Sequence, residues 1–440
     1  MAVETHGRVS LQDSSINITQ KRNYKMQILK FITAGSVDDG KSTLIGRLLY
    51  DTNSILDDQL EAIQNANRKN DDGTVDLAIL TDGLKAEREQ GITIDVAYKY
   101  FQTESRKFII ADAPGHIQYT RNMVTGASNS DLIIILVDAR KGVIEQTKRH
   151  SFLAALLSLK KVLVCVNKMD MTDFSQEVFE NIKADYAALA QKLGLEKVDY
   201  IPVSALKGDN IVYPSVRMPW YTGPSLLEYL ENVEIETSSP AQGWRFPVQW
   251  VVRPQSEDLP DYRGYAGRVI GEGLKTGDEV IVLPSGVRST ISGIELNQAP
   301  LSRAENGQSV ILHLADDVDI SRGDFIVQAS HPSETARSFE ADIAWFDQKP
   351  LDTSQVYLLQ NHSKLTRIKV AEVEYKYDVN TQEQLFGEDI RLNDIGKIRI
   401  KTADEVVFDT SGNFPENSRA IIIDPRTNIT VGAVIIQAVA

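Results

Sequence analysis

The stretch Gly35-Ser36-Val37-Asp38-Asp39-Gly40-Lys41-Ser42-Thr43 constrains the fold of this chain more than any other. An apolar run at residues 30–34 precedes it, and the residues after it place four apolar side chains on one helical face: Leu44, Ile45, Leu48 and Leu49. A strand, a Gly-x-x-x-x-Gly-Lys-Ser loop and a helix form the context of a phosphate-binding loop. The glycines let backbone N–H groups curl around phosphate oxygens at the positive end of the helix dipole. The alternative is a chance glycine-rich turn, which this context disfavours.

Alternating apolar runs and helical segments extend from residue 30 to about residue 233, which predicts an open, mostly parallel α/β sheet. Five of the apolar runs lead into the phosphate loop, Asp112, Asp138, Asn167 and Ser204. Because ligands bind outside the carboxyl ends of such strands, we expect most of these residues to meet at one edge of the sheet. Asp138 is the exception, since an aspartate at the end of a strand is commonly a turn residue.

The pattern changes after a Ser/Thr/Pro/Gly-rich stretch at residues 237–243. Short β-type runs separated by turns continue from there, and a length of about 200 residues favours two small antiparallel β-barrels over one. We therefore predict a polar arm at 1–23, an α/β P-loop domain at 24–236, and two barrels at 244–332 and 338–440.

The composition argues against several classes of protein. Among 440 residues, 61 acidic and 47 basic side chains give a net charge of −14, which disfavours nucleic-acid binding through a basic face. The longest apolar run, at 132–137, is too short to span a membrane, and residues 1–23 lack the apolar core of a signal peptide. The single cysteine, Cys165, rules out an internal disulfide framework. We expect a cytoplasmic protein without a membrane partner.

The phosphate loop implies a nucleotide with bound Mg²⁺. Lys41 would reach the β- and γ-phosphates, and the Ser42 hydroxyl would bind the metal. Asp112-Ala113-Pro114-Gly115-His116 follows a later strand, where the Asp112 carboxylate can hold Mg²⁺ and the Gly115 N–H can sense a γ-phosphate. Asp-x-Pro-Gly alone is a common turn, but its position after a phosphate loop favours the nucleotide interpretation.

Two residues are candidates for catalysis. Thr93 lies in the charged stretch 81–94, and its hydroxyl can complete the Mg²⁺ shell when a γ-phosphate is present. His116 follows the glycine that would face the γ-phosphate, and its imidazole can orient the attacking water. Without the other motifs, Thr93 would be interpreted as an ordinary strand residue. The other histidines show no spacing typical of metal ligands.

The base is predicted from Asn167-Lys168-Met169-Asp170. The Asp170 carboxylate accepts two N–H groups, which guanine offers and adenine does not. Asn167 can bond the other edge of the base, the stem of Lys168 can cover the ring, and the backbone of Ser204-Ala205-Leu206 can donate to the guanine carbonyl. Alone, Asn-Lys-x-Asp is more often a helix N-cap. The predicted GTP-binding residues are Gly35, Ser36, Val37, Asp38, Asp39, Gly40, Lys41, Ser42, Thr43, Asp112, Ala113, Pro114, Gly115, His116, Asn167, Lys168, Asp170, Ser204, Ala205 and Leu206; those for Mg²⁺ are Ser42, Thr93 and Asp112.

In this order the motifs resemble the translation-factor class of GTPases, in which two β-barrels follow the GTPase domain. That class typically carries histidines where this chain has Ser36 and Asp39. Four stretches are instead similar to the GTP-binding large-subunit family of bacterial sulfate adenylyltransferase: 35–49, 81–84, 115–123 and 253–267. This resemblance implies a heteromeric enzyme that makes adenosine 5′-phosphosulfate and pyrophosphate from ATP and sulfate, driven by GTP hydrolysis on this subunit.

The same resemblance implies a smaller partner subunit that binds ATP and sulfate. The sequence contains neither a His-x-Gly-His signature nor a Ser-Gly-Gly-x-Asp-Ser loop, so the sulfate chemistry is expected on that partner. Some relatives carry an adenosine-phosphosulfate kinase domain, and with one phosphate loop we expect none in this chain. Two other functions stay open: a translation factor that delivers tRNA to the ribosome, and a GTP-dependent switch without an enzymatic partner.

Overall fold

The structure is a computed structural model that describes residues 27–55, 96–113, 120–157, 159, 161–234, 242–254, 262–379, 381, 383–410 and 412–440. Thr93, Pro114, Gly115 and His116 lie outside the described residues, as do the predicted arm at 1–23 and most of the stretch 237–243. Within the described ranges, no helix combines the length and the apolar character that a membrane span needs.

The first domain is a six-stranded sheet in the order β2-β3-β1-β4-β5-β6, in which only β2 is antiparallel. Its strands are β1 (Ile28–Ala34), β2 (Ala97–Gln102), β3 (Lys107–Asp112), β4 (Leu132–Asp138), β5 (Val162–Asn167) and β6 (Val198–Pro202). Its helices are α1 (Lys41–Asp51), α2 (Thr120–Ser128), α3 (Glu145–Leu156), α4 (Gln176–Lys192) and α5 (Leu226–Asn232), with a 3₁₀ turn at Met169–Thr172. The predicted parallel α/β sheet is thus confirmed.

Helices cover both faces of this sheet, which explains why β4 and β5 are apolar up to their last residues. In β4, Ile133 and Ile135 pack in the core that includes α2, α3 and α4, whereas Ile134 and Leu136 pack toward α1 and α5. The four apolar residues predicted to share one face of α1 are all buried in the second of these cores. Cys165, on β5, is also fully buried there, and burial raises the pKa of its thiol.

The second domain is an antiparallel barrel of six main strands in the order β11-β16-β7-β8-β15-β12, closed by pairing of β11 with β12. The turn Pro284-Ser285-Gly286 connects these two strands. The strands are β7 (Trp244–Val252), β8 (Gly264–Arg268), β9 (Ile270–Gly271), β10 (Leu274–Lys275), β11 (Glu279–Leu283), β12 (Val287–Leu296), β13 (Ala299–Leu301), β14 (Arg303–Ala304), β15 (Ser309–Leu314) and β16 (Phe325–Gln328).

The third domain is another closed antiparallel barrel, in the order β18-β22-β23-β17-β21-β19, with β18 pairing β19. Its elements are β17 (Glu334–Trp345), β18 (Val356–Asn361), β19 (Lys364–Tyr377), β20 (Gln384–Leu385), β21 (Ile395–Phe408), α6 (Pro415–Ser418), β22 (Arg419–Ile423) and β23 (Thr430–Val439). Together the three domains confirm the predicted architecture of an α/β P-loop domain followed by two small antiparallel β-barrels.

A buried ion pair joins the two barrels. The Arg245 guanidinium donates to the Asp409 carboxylate at 2.7 and 3.0 Å and lies over the Phe414 ring at 4.2 Å. Ser333 and Asn417 donate to the same carboxylate at 2.9 and 2.7 Å. A buried pair is tolerated when its remaining hydrogen-bonding capacity is met in this way.

The third domain also packs against the P-loop domain. Four of its side chains join the core that contains α3 and α4: Ala344, Ile395, Ala433 and Ile435. The Tyr377 ring lies 5.0 Å from the Phe152 ring of α3, and Arg419 donates to the Leu157 carbonyl at 2.6 Å. Helix α3 and its C-terminal end therefore form part of the contact between the P-loop domain and the third domain.

Candidate nucleotide-binding site

The structure brings the described sequence-predicted residues to one edge of the sheet. In the strand register, Thr33 lies beside Asp112 at the ends of β1 and β3, and Asp138 lies beside Asn167 at the ends of β4 and β5. The phosphate loop leaves β1 at the same edge and enters α1 at Lys41. Parallel strands place their carboxyl ends together, so this convergence follows from the sheet itself.

The phosphate loop requires glycine at position 40. Gly40 caps α1 with a φ of 91°, and its carbonyl accepts the Leu44 N–H at 2.9 Å. A Cβ at this position would lie 2.4 Å from Nδ2 of Asn167. The backbone of the loop therefore lies directly against the residue that begins the Asn-Lys-x-Asp motif, with no room for a side chain between them. A bare backbone whose N–H groups lead into a helix is the form that a phosphate cradle needs.

Lys41 is buried beneath the loop, where its ammonium donates to the Gly35 carbonyl at 3.1 Å. Burial lowers the pKa of Lys41, and the nearby carboxylates of Asp112 and Asp39 oppose that shift. Among the described residues, the Gly35 carbonyl is the acceptor of the Lys41 ammonium, which therefore has capacity to pair with phosphate oxygens. The residues present therefore fit a polyphosphate.

Asp39 occupies one of the two positions where translation factors carry histidine. It is buried, and its Oδ2 accepts the Ser36 N–H at 2.6 Å, so that N–H is used within the loop. Its Oδ1 has no hydrogen-bond partner among the described residues. Burial raises the pKa of Asp39, while the Ser36 N–H and Lys41 lower it. The Asp39 carboxylate thus closes the loop through a hydrogen bond from the Ser36 N–H.

Asn167 braces the phosphate loop against the loop at residues 204–206. Its Nδ2 donates to the Asp39 carbonyl at 2.8 Å, and its Oδ1 accepts the Ala205 N–H at 2.9 Å. One amide proton and one lone pair are left for a base. The Ser204 N–H donates to the Asp209 carbonyl, so among the described residues the Leu206 N–H is the one of the three without an internal acceptor.

The Asp170 carboxylate is oriented by Ser204, which lies at the same edge of the sheet. Its Oδ1 accepts the Ser204 hydroxyl at 2.6 Å, and that hydroxyl in turn accepts the Lys207 N–H at 3.2 Å. Within the part of the chain that the structure describes, the second carboxylate oxygen is left for another donor. The arrangement holds one face of the Asp170 carboxylate in a fixed direction, as recognition of a planar base requires.

Asp138 is a site residue that the sequence interpretation treated only as a turn residue. It does form the turn, since it accepts the Arg140 N–H at 2.9 Å. Its fully buried carboxylate also receives Arg140 Nη2 at 2.6 Å and lies 3.1 Å from the Lys168 ammonium. Burial raises the pKa of Asp138, but the bonds from Arg140 and Lys168 outweigh it and hold the pKa well below its usual range.

Lys168 is therefore clamped from two sides. Besides Asp138, its ammonium donates to the Asp38 carbonyl of the phosphate loop. Lys168 itself has a φ of 63°, and Asp38 has a φ of 66°. Backbone in this region costs free energy for non-glycine residues and persists where surrounding contacts impose it. The Lys168 side chain is thus fixed between Asp138 and the phosphate loop, and its contact with a base stays a prediction.

Arg47, on α1, is a second residue that the motif analysis did not assign. Its guanidinium donates to the carbonyls of Ala205 and Leu206 at 3.3 and 2.8 Å. It ties the helix after the phosphate loop to the loop expected to contact the base. No local pattern indicates this contact, because more than 150 residues separate the partners.

Asp112 and Ser42 are the described candidates for binding Mg²⁺. Asp112 is buried, and its Oδ1 accepts the Thr33 hydroxyl at 3.4 Å. A carboxylate and a hydroxyl are oxygen donors of the type that Mg²⁺ prefers. The donor set therefore fits the metal, whereas Thr93, the third predicted ligand, lies outside the described residues.

His150, on α3, lies close enough to the site for Lys41 to affect it. The ring is buried, and burial lowers the pKa of His150 to about 3, with smaller contributions from Lys41 and Arg149. The ring is therefore neutral at physiological pH.

Two family models and several known proteins match this chain. Residues 26–236 match the family model described as Elongation factor Tu GTP binding domain, and residues 338–437 match the one described as GTP-eEF1A C-terminal domain-like. The chain is 50% identical to sulfate adenylyltransferase subunit 1 of Cronobacter sakazakii over 411 residues, which are 92% of this chain and 85% of the relative. It is 49% identical to the same subunit of Cellvibrio japonicus over 422 residues, 95% of this chain and 88% of the relative. A solved structure of Sup35 with GDP aligns with a TM-score of 0.42 and 22% identity, covering 99% of this chain and 100% of that chain.

A P-loop domain that matches the GTP-binding domain of elongation factor Tu, followed by two antiparallel barrels, defines a GTP-binding protein of the translation-factor class. About one half of the residues are identical to those of sulfate adenylyltransferase subunit 1 over more than nine-tenths of the chain. This identity defines the family more narrowly than the fold does. The chain belongs to the family of sulfate adenylyltransferase subunit 1.

Proposed function

We propose that this chain is the regulatory GTPase subunit of a heteromeric sulfate adenylyltransferase. GTP and Mg²⁺ bind at the sheet edge described above, with the phosphates on residues 35–43 and guanine between Lys168, Asp170 and residues 204–206. We call residues 204–206 the base loop. The observation that carries the proposal is that the side-chain amide of Asn167 bonds both the phosphate loop and the base loop. A nucleotide that bridges the two loops is recognised at both of its ends.

The phosphate end is bound by fixed donors. Lys41 supplies a buried positive charge, and the backbone from Gly40 into α1 supplies N–H groups along the helix dipole. Ser42 and Asp112 would hold Mg²⁺, which supplies charge neutralisation at the β- and γ-phosphates when bound. These contacts cost little reorganisation, because the loop backbone is already held by Asn167 and Lys168.

Hydrolysis breaks the bond between the γ-phosphorus and the bridging oxygen of GDP as a water oxygen attacks in line. Thr93 and His116 stay predictions for this step, Thr93 in the Mg²⁺ shell and His116 as the group that orients water. Both follow from the sequence motifs, and both lie outside the described residues.

The adenylyl transfer itself is proposed to take place on a smaller subunit that binds ATP and sulfate, in the cytoplasm, as part of sulfate assimilation. The name subunit 1 that the relatives carry implies a second subunit. Coupling requires that the GTP and GDP states of this chain contact that subunit differently, since a ligand shifts an equilibrium only through differential affinity.

Purification of the tagged full chain from its native cells tests this assignment. We expect an adenylyltransferase subunit to accompany it in a stable complex. Ribosomes and tRNA in its place would favour the translation-factor function, and recovery of the chain alone would favour a switch without an enzymatic partner.

A further inference from the structure

A rigid apolar surface lies next to the proposed base loop. Tyr213 and Val216 are 74% and 92% exposed, and the intervening and following prolines, Pro214 and Pro219, are exposed as well. We call residues 213–219 the apolar loop. Single exposed apolar residues are common, but a short segment that presents four of them is not typical of a free surface.

Asp209 fixes one side of the apolar loop. Its buried carboxylate accepts the Ser215 hydroxyl at 2.6 Å and Arg217 Nε at 3.1 Å. The Arg217 guanidinium also lies over the Phe174 ring, 5.1 Å from its centroid. Charge-assisted bonds to a buried carboxylate hold the loop backbone in one conformation.

Asn210 fixes the other side. Its Oδ1 accepts the Ser215 N–H at 2.7 Å, its Nδ2 donates to the Pro202 carbonyl at 2.9 Å, and its own carbonyl accepts the Leu226 N–H at 2.9 Å. Met218, inside the loop, is fully buried and anchors it to the domain. Tyr213 and Val216 are therefore held out into solvent by a braced backbone.

Such a surface has the properties of a binding hot spot. Association costs conformational entropy for every segment that it orders, and a loop that is already fixed loses little. Tyrosine is among the residues that dominate interface energies when a partner buries them. The apolar loop thus already has a fixed conformation before a partner binds.

The charges around the loop indicate what that partner presents. Within residues 204–219 the charged side chains are Lys207, Arg217 and Asp209, and Asp209 is buried against Arg217. Lys207 and Arg217 are therefore the exposed charged side chains of this segment, in a chain whose net charge is −14. An apolar recess bordered by carboxylates on a different polypeptide is complementary to this surface.

We propose that the apolar loop is the docking surface for the second subunit of the enzyme, which meets it with an apolar recess bordered by carboxylates. This inference rests on the proposed function, because that function requires a second subunit. The loop is also joined to the base loop, since Ser204 and Asp209 exchange both backbone hydrogen bonds at 3.2 Å. If docking changes guanine-nucleotide affinity through this contact, the nucleotide changes subunit affinity by the same factor.

The test uses the full chain and the purified adenylyltransferase subunit, with Tyr213→Ala and Val216→Asp as variants. Val356→Asp, at a 46% exposed position on β18, is the matched control. Dissociation constants for the subunit are measured by sedimentation velocity, and those for a fluorescent GDP analogue are measured on each free chain. We expect each loop variant to weaken subunit binding by at least about thirtyfold, with GDP affinity and the control within about twofold of the unmodified chain.

The outcomes separate this inference from the proposed function. If both loop variants bind the subunit as tightly as the unmodified chain, the docking surface is wrong and the proposed function stands. If the unmodified chain does not bind the subunit at all, the proposed function is wrong and this inference with it. Loss of self-association in the loop variants would assign the loop to a second copy and overturn the proposal.

Discussion

Replacing Gly40 by alanine tests the geometry of the phosphate loop at its tightest point. Gly40 has a φ of 91°, and an added Cβ would lie 2.4 Å from Nδ2 of Asn167. The substitution leaves the apolar cores untouched. Its effect should therefore fall on the loop and on the Asn167 brace, which together form the proposed nucleotide site.

The free-energy cost of Gly40→Ala has two parts. A non-glycine residue at positive φ costs about 1–2 kcal/mol. Displacing Asn167 breaks its bonds to the Asp39 carbonyl and the Ala205 N–H, and each buried group left unpaired costs about 1–3 kcal/mol. The total is no less than about 3 kcal/mol, which corresponds to about 150-fold if it falls on nucleotide affinity.

Gly194→Ala is the matched control. Gly194 has a φ of 68° in the same domain, but no heavy atom lies within 4 Å of its added Cβ. Titration of a fluorescent GDP analogue should show at least about a hundredfold loss of affinity for Gly40→Ala and less than about twofold for Gly194→Ala. Equal GDP affinity of Gly40→Ala and the unmodified chain would refute the assignment of this loop to phosphate.

Three further predictions follow from the site. Asp170→Asn should weaken GTP binding and favour xanthosine triphosphate, whose base carries a carbonyl in place of the amine; equal affinity of the unmodified chain for ATP and GTP would contradict this. Thr93→Ala and His116→Ala should keep GDP affinity and slow GTP hydrolysis by on the order of 10²–10³, whereas Lys41→Ala should lose both; normal partner-stimulated turnover by His116→Ala would exclude that residue from the mechanism. Burial lowers the pKa of His150 from 6.5 to about 3, so between these values the unfolded chain binds a proton that the folded chain does not. The free energy of unfolding therefore decreases as the pH falls from about 6.5 to about 3. His150→Gln should reduce this loss by about 1 kcal/mol per pH unit between pH 6 and 5 in urea unfolding, and identical slopes would contradict it.

The sequence predicts the parts of this protein that follow from local pattern. The apolar face of α1, the parallel sheet and the two barrels all follow from periodicity and turn residues, and the structure contains each of them. The convergence of Asp112 and Asn167 at one edge follows from the rule that parallel strands share a carboxyl end. These features depend on neighbours within a few residues or on strand direction alone.

Contacts between distant residues could not be predicted in this way. Asp138 holds Lys168 from 30 positions away, and Arg47 bonds carbonyls about 160 positions away. The residues next to Asp138 and Arg47 in the sequence do not indicate which distant groups these side chains contact. The Arg245–Asp409 pair, which joins the barrels, is likewise set by tertiary packing.

Strand lengths in the third domain also exceed the local pattern. Apolar and polar residues alternate at 397–401, which lie in the first half of β21, Ile395–Phe408. Exposed polar residues such as Asp404 interrupt its apolar alternation. The strand nevertheless continues, because its second half pairs with the start of β17 after a register shift near Ala336. A shift of register reverses which positions face the core, and periodicity over a short window cannot show this.

The central claim is that GTP hydrolysis on this chain drives adenylyl transfer on a partner. The most direct measurement follows GTP turnover and adenosine 5′-phosphosulfate together, in one reaction that contains both subunits, ATP and sulfate. We predict that GTP raises the product above its GTP-free equilibrium and that a non-hydrolysable GTP analogue does not, because only hydrolysis supplies free energy. Accumulation beyond that equilibrium with the analogue present would contradict hydrolytic coupling.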